Sequence, residues 1–210
     1  MAVQWRNSHK LLIRNEDRIL DILKEYNEIK ELVVSDRKDS FLSLMSWIEA
    51  NTEFLRAPAS TKYHLSVETG LLQHSVSVVK TMLKIKNAIC PEISDESCVI
   101  AGLLHDIGKV GYPGSPQYLK QFYRGEFEYR FNKDILFMTH SHRSLYLIQM
   151  CGFVLMPEEF QAILTHDGQY VPENKAYALN ECKLSSLLHM ADYWSSQNLE
   201  TTTNLIESEQ

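Results

Sequence analysis

The chain has no C-x-x-C pair. Its four cysteines, Cys90, Cys98, Cys151 and Cys182, each lie inside an apolar segment, so a disulfide-dense scaffold is excluded and buried free thiols are expected. No apolar run approaches the roughly 18 residues that a membrane-spanning helix requires, so no membrane association is expected. The opening stretch Met1-Ala-Val-Gln-Trp-Arg-Asn has no apolar core of the signal-peptide kind, and a reducing, cytoplasmic setting is the expectation. Positive charge is in deficit: 21 Lys and Arg stand against 27 Asp and Glu, a net charge of -6. That balance argues against an extended nucleic-acid footprint held by many phosphate contacts. A small phosphorylated substrate stays compatible with it, because a bound metal supplies positive charge locally. Repeats, low-complexity tracts and linkers are also lacking, so the 210 residues read as one domain. At 44% hydrophobic and 23% charged residues, disorder is excluded and a sizeable core is within reach.

What is present is helical punctuation. From about Asn15 to Val34, apolar residues recur at spacings of three and four, the pattern of an amphipathic helix. Phe41 to Phe54 reads as a second helix, stopped by Arg56-Ala-Pro-Ala-Ser60. A third runs from about Gly70 to Ala88. Ser94 with Asp95 and Glu96 looks like the capped start of a helix ending near Gly108, apolar on every side and hence central. Further helices are expected near Ser141–Cys151, Pro157–His166 and Lys183–Gln197, with a polar, fraying tail over 198–210. One stretch departs from this pattern. The aromatic residues between Tyr112 and Phe131 alternate around Arg124-Gly125, which fits a β-hairpin or a long ordered loop. The fold class is therefore all-α with one irregular insertion near 112–133.

Histidines carry the chemical information. His74 shares a helical face with Leu71 and Val78, His105 with Ala101 and Cys98, and His166 ends a helix carrying Ala162 and Ile163. Any single one is more often a hydrogen-bonded core residue than a ligand. A buried aspartate is harder to place without a cation, because a desolvated carboxylate needs compensating charge or several donors. The adjacent pair His105-Asp106, and Asp192 one turn from His189, raise that demand. Imidazole with carboxylate suits Mn, Fe, Co, Ni or Zn, and inward-facing copies on several helices are how bundles build metal sites.

The order His74, His105-Asp106, Asp192 resembles the H…HD…D signature of the HD superfamily of metal-dependent phosphohydrolases. Phe54-Leu-Arg-Ala-Pro-Ala-Ser-Thr-Lys-Tyr-His64 followed by Thr69-Gly-Leu-Leu-Gln-His74 resembles the APAS…H…GGLLxHS approach of bacterial and phage members. It is also similar to the HD domain of a branch of bacterial 3′-to-5′ exoribonucleases. Thr139-His140-Ser-His-Arg-Ser144 resembles a GHxxxS element, Glu158-Glu159 through His166 an EExxAIxxH element, and Leu187 to Asp192 an LLHxAD element. Together these span roughly residues 50–197 as an HD core, with the helices over 1–49 outside every motif. The chain departs from the pattern at Thr69 and Thr139, where relatives commonly carry glycine.

The resemblance implies an HD-type helical bundle, with His74, His105, Asp106 and Asp192 as ligands of a first divalent ion. His140 and His166 fall where members with a second ion place two more histidines, with Asp106 typically bridging. The metal, one ion or two, is left open among Mn, Fe, Co, Ni, Zn and Mg. His142 rivals His140, although the register of Ser144 favours His140. His189 reads as a packing or supporting residue, His64 as pocket wall and His9 as surface. Lys109, three residues after the metal pair, is placed to meet a phosphate oxygen; without the family context it is a solvated lysine after a helix end. Arg56 and Arg143 are weaker phosphate contacts, each as readily a surface charge. The aromatic stretch fits a base-stacking wall or the packed underside of a hairpin equally well.

The expected function is that of a phosphoric ester hydrolase acting on a nucleotide or short oligonucleotide, with Asp106 orienting or deprotonating water and Lys109 neutralising phosphate charge. The exoribonuclease relatives carry an oligonucleotide-binding barrel for which the helical residues 1–49 leave no room, so a small nucleotide is favoured. The competing reading is a catalytically silent HD module that binds a nucleotide or a partner protein.

Overall fold

A computed structural model describes residues 2–200, with side chains from residue 16 onward. Seven α-helices carry the fold: α1 Ala2–Lys30, α2 Lys38–Asn51, α3 Gly70–Ile89, α4 Asp95–Leu104, α5 His140–Met150, α6 Pro157–Thr165 and α7 Lys183–Trp194. The region between α4 and α5 is the only one with strands among the described residues. It holds a short pair, β1 Gly111–Tyr112 with β2 Ser115–Pro116, and a hairpin, β3 Tyr118–Tyr123 with β4 Glu126–Phe131. Of the polar tail expected to fray over 198–210, residues 201–210 lie outside the described residues, while 198–200 complete an ordered turn with Glu200 buried. No described helix is long and apolar enough to cross a membrane.

The buried stripes follow the helical period. In α2, Phe41, Leu44, Met45 and Ile48 recur at three and four and are buried. In α1 the buried stripe is Ile22, Tyr26 and Ile29, while Leu20, and Leu32 in the turn that follows the helix, are left exposed. Both belong to the apolar set read from the sequence, and the stripe that α1 buries is narrower than that set. The Tyr26 hydroxyl donates to Glu49 (2.6 Å), which also accepts from Lys30 (2.8 Å), tying α1 to α2. Helix α4 is buried from Cys98 to Leu104, as its unbroken apolar run requires. Its start is capped by Ser94, whose hydroxyl accepts the Ser97 amide (3.0 Å). A large cluster joins α1, α2, α3, α4 and α5, and a smaller one around Val78, Met82, Ala162 and Leu188 joins α3, α4, α6 and α7. Of the four free cysteines only Cys98 is fully buried; the other three are half-buried at helix ends.

Two differences from the sequence pattern bear on the site. Helix α4 stops at Leu104 instead of continuing to Gly108, and a 3₁₀ turn, Ile107–Val110, follows. Asp106 sits between them at φ -108°, ψ 5°, outside helical geometry, which aims its carboxylate away from the helix axis. In the insertion, Arg124 and Gly125 both have positive φ (52° and 92°), the pattern of a two-residue type I′ hairpin turn. The register Tyr118↔Phe131, Lys120↔Tyr129, Phe122↔Phe127 puts five aromatic rings and one lysine on the same face. That face is not a packed underside: Phe122, Phe127 and Phe131 are 66%, 69% and 56% exposed.

Thr69 stands at φ 67°, directly before α3, a left-handed backbone that favours the glycine of the GGLLxHS pattern it resembles. It is buried, and its hydroxyl has no partner among the described residues. A β-branched residue in left-handed backbone costs about 1–2 kcal/mol, and an unpaired buried hydroxyl adds to that. Glycine returns part of the gain as unfolded-chain entropy, roughly 0.5–1 kcal/mol. Thr69→Gly is accordingly expected to raise the melting temperature by about 2–4 °C. A fall in a thermal melt would mean that the packing of the threonine methyl outweighs the relieved strain.

Candidate metal centre

Five elements deliver donors to one point. His74 comes from the second turn of α3, His105 and Asp106 from the end of α4, His140 from the first residue of α5, His166 from the end of α6 and Asp192 from α7. The His74 Nε2 lies 3.3 Å from the His105 Nε2, 3.2 Å from Asp192 Oδ1 and 3.4 Å from Asp106 Oδ2. On the other side, the His140 and His166 Nε2 atoms are 3.1 Å apart, and each is 3.5 Å from Asp106 Oδ1. The Asp106 carboxylate is thus divided, one oxygen facing each group of histidines. Asp106 Oδ1 is buried and has no hydrogen-bond partner among the described residues.

This arrangement fits a divalent ion. His105 Nδ1 lies 2.8 Å from the Gly102 carbonyl oxygen and His166 Nδ1 lies 2.7 Å from that of Ile163, contacts that call for a proton on each Nδ1. That leaves the Nε2 lone pairs to face inward, the His105 one toward His74 Nε2 and the His166 one toward His140 Nε2, where a metal ion would take them up. Ligand atoms held roughly 2.1 Å from one ion stand about 3.0–3.4 Å from each other at right or tetrahedral angles. The separations of 3.1–3.5 Å within each group match that spacing. Among the described residues, four groups of donors are close enough to hold an ion: His74, His105 and Asp192; His105, Asp106 and His166; His140, His166 and Asp167; and, behind the first, His64, His74 and Glu200.

The electrostatics carry the same demand for positive charge. Burial keeps the His105 imidazole neutral by lowering its pKa. At His74 burial also opposes the cation, yet hydrogen bonds to Asp106, Asp192 and Glu200 outweigh it and raise the pKa well above the ordinary value. His166 is raised to about 9 by Asp106 and Asp167 against its burial. Burial works against the anions of Asp106 and Asp192, but Lys109 and His105 for the first and His74 for the second hold both well below the usual carboxylate range. A buried cluster of this composition collects protons where a divalent ion would serve.

Lys109 Nζ lies 2.5 Å from Asp106 Oδ2, and its side chain is largely covered, with 17% left exposed. It opens onto a cleft of about 280 Å³ lined by Arg56, Lys120, Tyr118 and Tyr129 together with Glu53 and Glu68. Lys120 pairs with Glu68 at 3.5 Å. Arg143 does not face this cleft. It is 2% exposed, and its guanidinium donates to the carbonyls of Gly108 (2.8 Å) and Met138 (2.9 Å) and to the Gln117 side chain. It clamps the turn after Asp106 onto α5, so the expected phosphate contact at Arg143 does not match its placement: a charge type in the sequence carries no sign of its burial.

His140 and not His142 joins the cluster. His142 is exposed, with Nδ1 2.6 Å from the hydroxyl of Thr139, which caps α5. The cap needs no glycine, since Thr139 has φ -59°, ψ 152°. His189 Nδ1 lies 2.7 Å from the His166 carbonyl oxygen and supports that ligand from behind. The His64 ring packs at a tilt of 46° with its centroid 5.1 Å from that of His74, at the wall of the site. Two acidic residues escaped the sequence reading. Asp167 lies 3.2 Å from His140 Nε2, and its signal was a second adjacent pair, His166-Asp167. Glu200 lies 2.9 Å from His74 Nδ1 and is buried, in a stretch whose polar composition reads as a frayed tail.

The fold is a helical scaffold that gathers histidines and aspartates from five elements around one shared carboxylate, a His/Asp cluster that could hold a metal ion. The family model of the HD domain matches residues 71–195, more than half of the chain. The chain belongs to the HD domain family, whose members are in general metal-dependent phosphohydrolases. Neither the curated proteins nor the solved structures include a match to it.

Proposed function

We propose that this protein is a metal-dependent phosphohydrolase that cleaves a phosphoester of a nucleotide or short oligonucleotide. The observation that carries the reading is the position of Asp106: one buried carboxylate faces both histidine groups and touches Lys109, which opens onto the cleft. In this reading His74, His105, Asp106 and Asp192 hold one ion, and His140, His166 and Asp106, with Asp167 beside them, hold a second. Bound ions supply Lewis acidity and lower the pKa of water to near neutrality.

The chain's own groups do the rest. Asp106 orients the attacking water by accepting its hydrogen bond. The Lys109 ammonium, whose proton is held more tightly than in free lysine because Asp106 outweighs the effect of burial, stabilises charge on the phosphoryl oxygens. Arg56, exposed at the rim, offers a second and more screened contact. Tyr118 and Tyr129 form a wall for a base, and base–aromatic stacking is sequence-tolerant. A cleft of about 280 Å³ suits one nucleotide better than a strand.

The test is product chromatography with Mn present, across mono-, di-, tri- and cyclic nucleotides and a short RNA, with Asp106→Ala as the blank. Turnover confined to the wild-type protein supports the reading, and its product names the bond cut. A folded, metal-loaded protein that turns over none of them points to a binding module instead. Lys109→Ala in the same assay is expected to retain metal while kcat/KM falls about 10²–10³-fold, as when one transition-state donor is removed. Loss of metal together with activity would show that Lys109 supports the site and does not touch substrate.

A further inference from the structure

We propose that Glu200 is a positioning residue for His74, delivered by a turn that begins where the family match ends and runs past it; this rests on the metal-site reading above. The other two buried histidines anchor themselves locally. His105 and His166 both sit at helix C-termini, where backbone carbonyls are free, and each has its Nδ1 against the carbonyl oxygen three residues back. His74 has no such option. It is the fifth residue of the 20-residue helix α3, where neighbouring carbonyls are already taken by the helix ladder. Its Nδ1 instead meets a carboxylate from 126 residues away, at 2.9 and 3.1 Å from the two oxygens of Glu200.

The backbone after α7 is shaped for this contact. Eight positions beyond Asp192, a regular α-helix would place residue 200 roughly 80° off the face that Asp192 occupies. The chain widens into a π turn over Ser195–Leu199, and the Glu200 amide donates to the Ser195 carbonyl at 3.1 Å. The Ser195 hydroxyl, 3.2 Å from that of Thr81, fastens the turn to α3. Glu200 ends 2% exposed against the same imidazole that Asp192 touches from the other side. A buried carboxylate is tolerated only with partners of this kind. His64 stands behind it, its buried Nε2 3.7 Å from a Glu200 oxygen.

The chemical consequence is a fixed tautomer. A carboxylate at Nδ1 holds the proton there, leaves the Nε2 lone pair facing His105, Asp106 and Asp192, and makes the imidazole a stronger donor to a metal. The experiment is Zn affinity of the full chain by competition with a chromophoric chelator, for wild type, Glu200→Ala and Glu200→Gln. Glu200→Ala is expected to weaken the tighter site about 10–100-fold. Glu200→Gln, whose amide oxygen still accepts the Nδ1 proton, is expected to recover part of that loss. Melting curves of the metal-free variants separate folding from ligation, and the near-isosteric Gln variant keeps the test open if the Ala variant fails to fold. Equal Zn affinity in all three overturns the role of Glu200 while leaving the metal site standing. No Zn bound by the wild type overturns the metal reading and this inference with it.

Discussion

Asp106→Asn is expected to empty both halves of the metal centre and to lower turnover by about 10³-fold or more. The carboxylate shows one oxygen to His74 and His105 and the other to His140 and His166, at 3.4–3.5 Å in each case. An amide of the same shape has one oxygen only. Whichever way it turns, its NH₂ group meets one pair of histidines and cannot bind an ion there. The negative charge that both ions would share is lost as well. Lys109 is left without its partner, and removing one member of a buried ion pair costs about 3–5 kcal/mol, so the variant is also expected to melt lower without metal.

That loss of stability requires a readout of its own. Metal that binds only the folded protein at about 100 times its Kd stabilises by about 2.7 kcal/mol. The wild type should therefore gain melting temperature on adding Mn or Zn and lose it again with chelator, whereas Asp106→Asn should show neither change. Metal content after desalting and near-UV circular dichroism complete the comparison. A folded Asp106→Asn protein that binds metal and turns over as the wild type does would remove the shared carboxylate from the mechanism.

The sequence makes some of this legible because helices are local. The stripes of α2 and α3 repeat at three and four residues and α4 is apolar all round, and the candidate donors His74, His105 and Asp106 stand on that stripe or at the end of that run, so their inward direction can be read before any packing is known. The I′ turn at Arg124-Gly125 is local too. The limits appear where the determinant is distant. Helix α4 ends at Leu104, and Asp106 beyond it faces donors from α3, α5 and α6 at once, but nothing in the apolar run marks the break. The contact of Glu200 with His74 spans 126 residues and leaves no periodic trace. Arg143 looks like any surface arginine until Gly108, Gln117 and Met138 enclose it. Asp167 is a different case, since its adjacency to His166 was visible and repeated the His105-Asp106 pair.

Gly108→Ala is expected to detach the second histidine group from the first. A Cβ at position 108 would stand 2.0 Å from the His140 carbonyl oxygen and 2.7 Å from the Ser144 amide nitrogen, both backbone atoms. Neither can swing aside as a side chain would, so α5 has to retreat by about 1 Å or more from a close-packed contact. The retreat also strains the stitches between the two elements: the Gly108 amide donates to the Ser144 hydroxyl (2.8 Å), which donates to the His105 carbonyl (2.7 Å). His140 opens α5 and moves with it, while His74, His105 and Asp192 are held on α3, α4 and α7. One methyl group is thus expected to lower metal stoichiometry by the share that His140 supports, and to lower activity about 10²-fold, the effect of a 1 Å misplacement. The stability cost of overpacking is about 1–3 kcal/mol. His140→Ala is the matched control, since it removes the same ligand without moving the helix. If Gly108→Ala keeps full metal stoichiometry while His140→Ala loses it, the close approach at Gly108 does not set the position of His140.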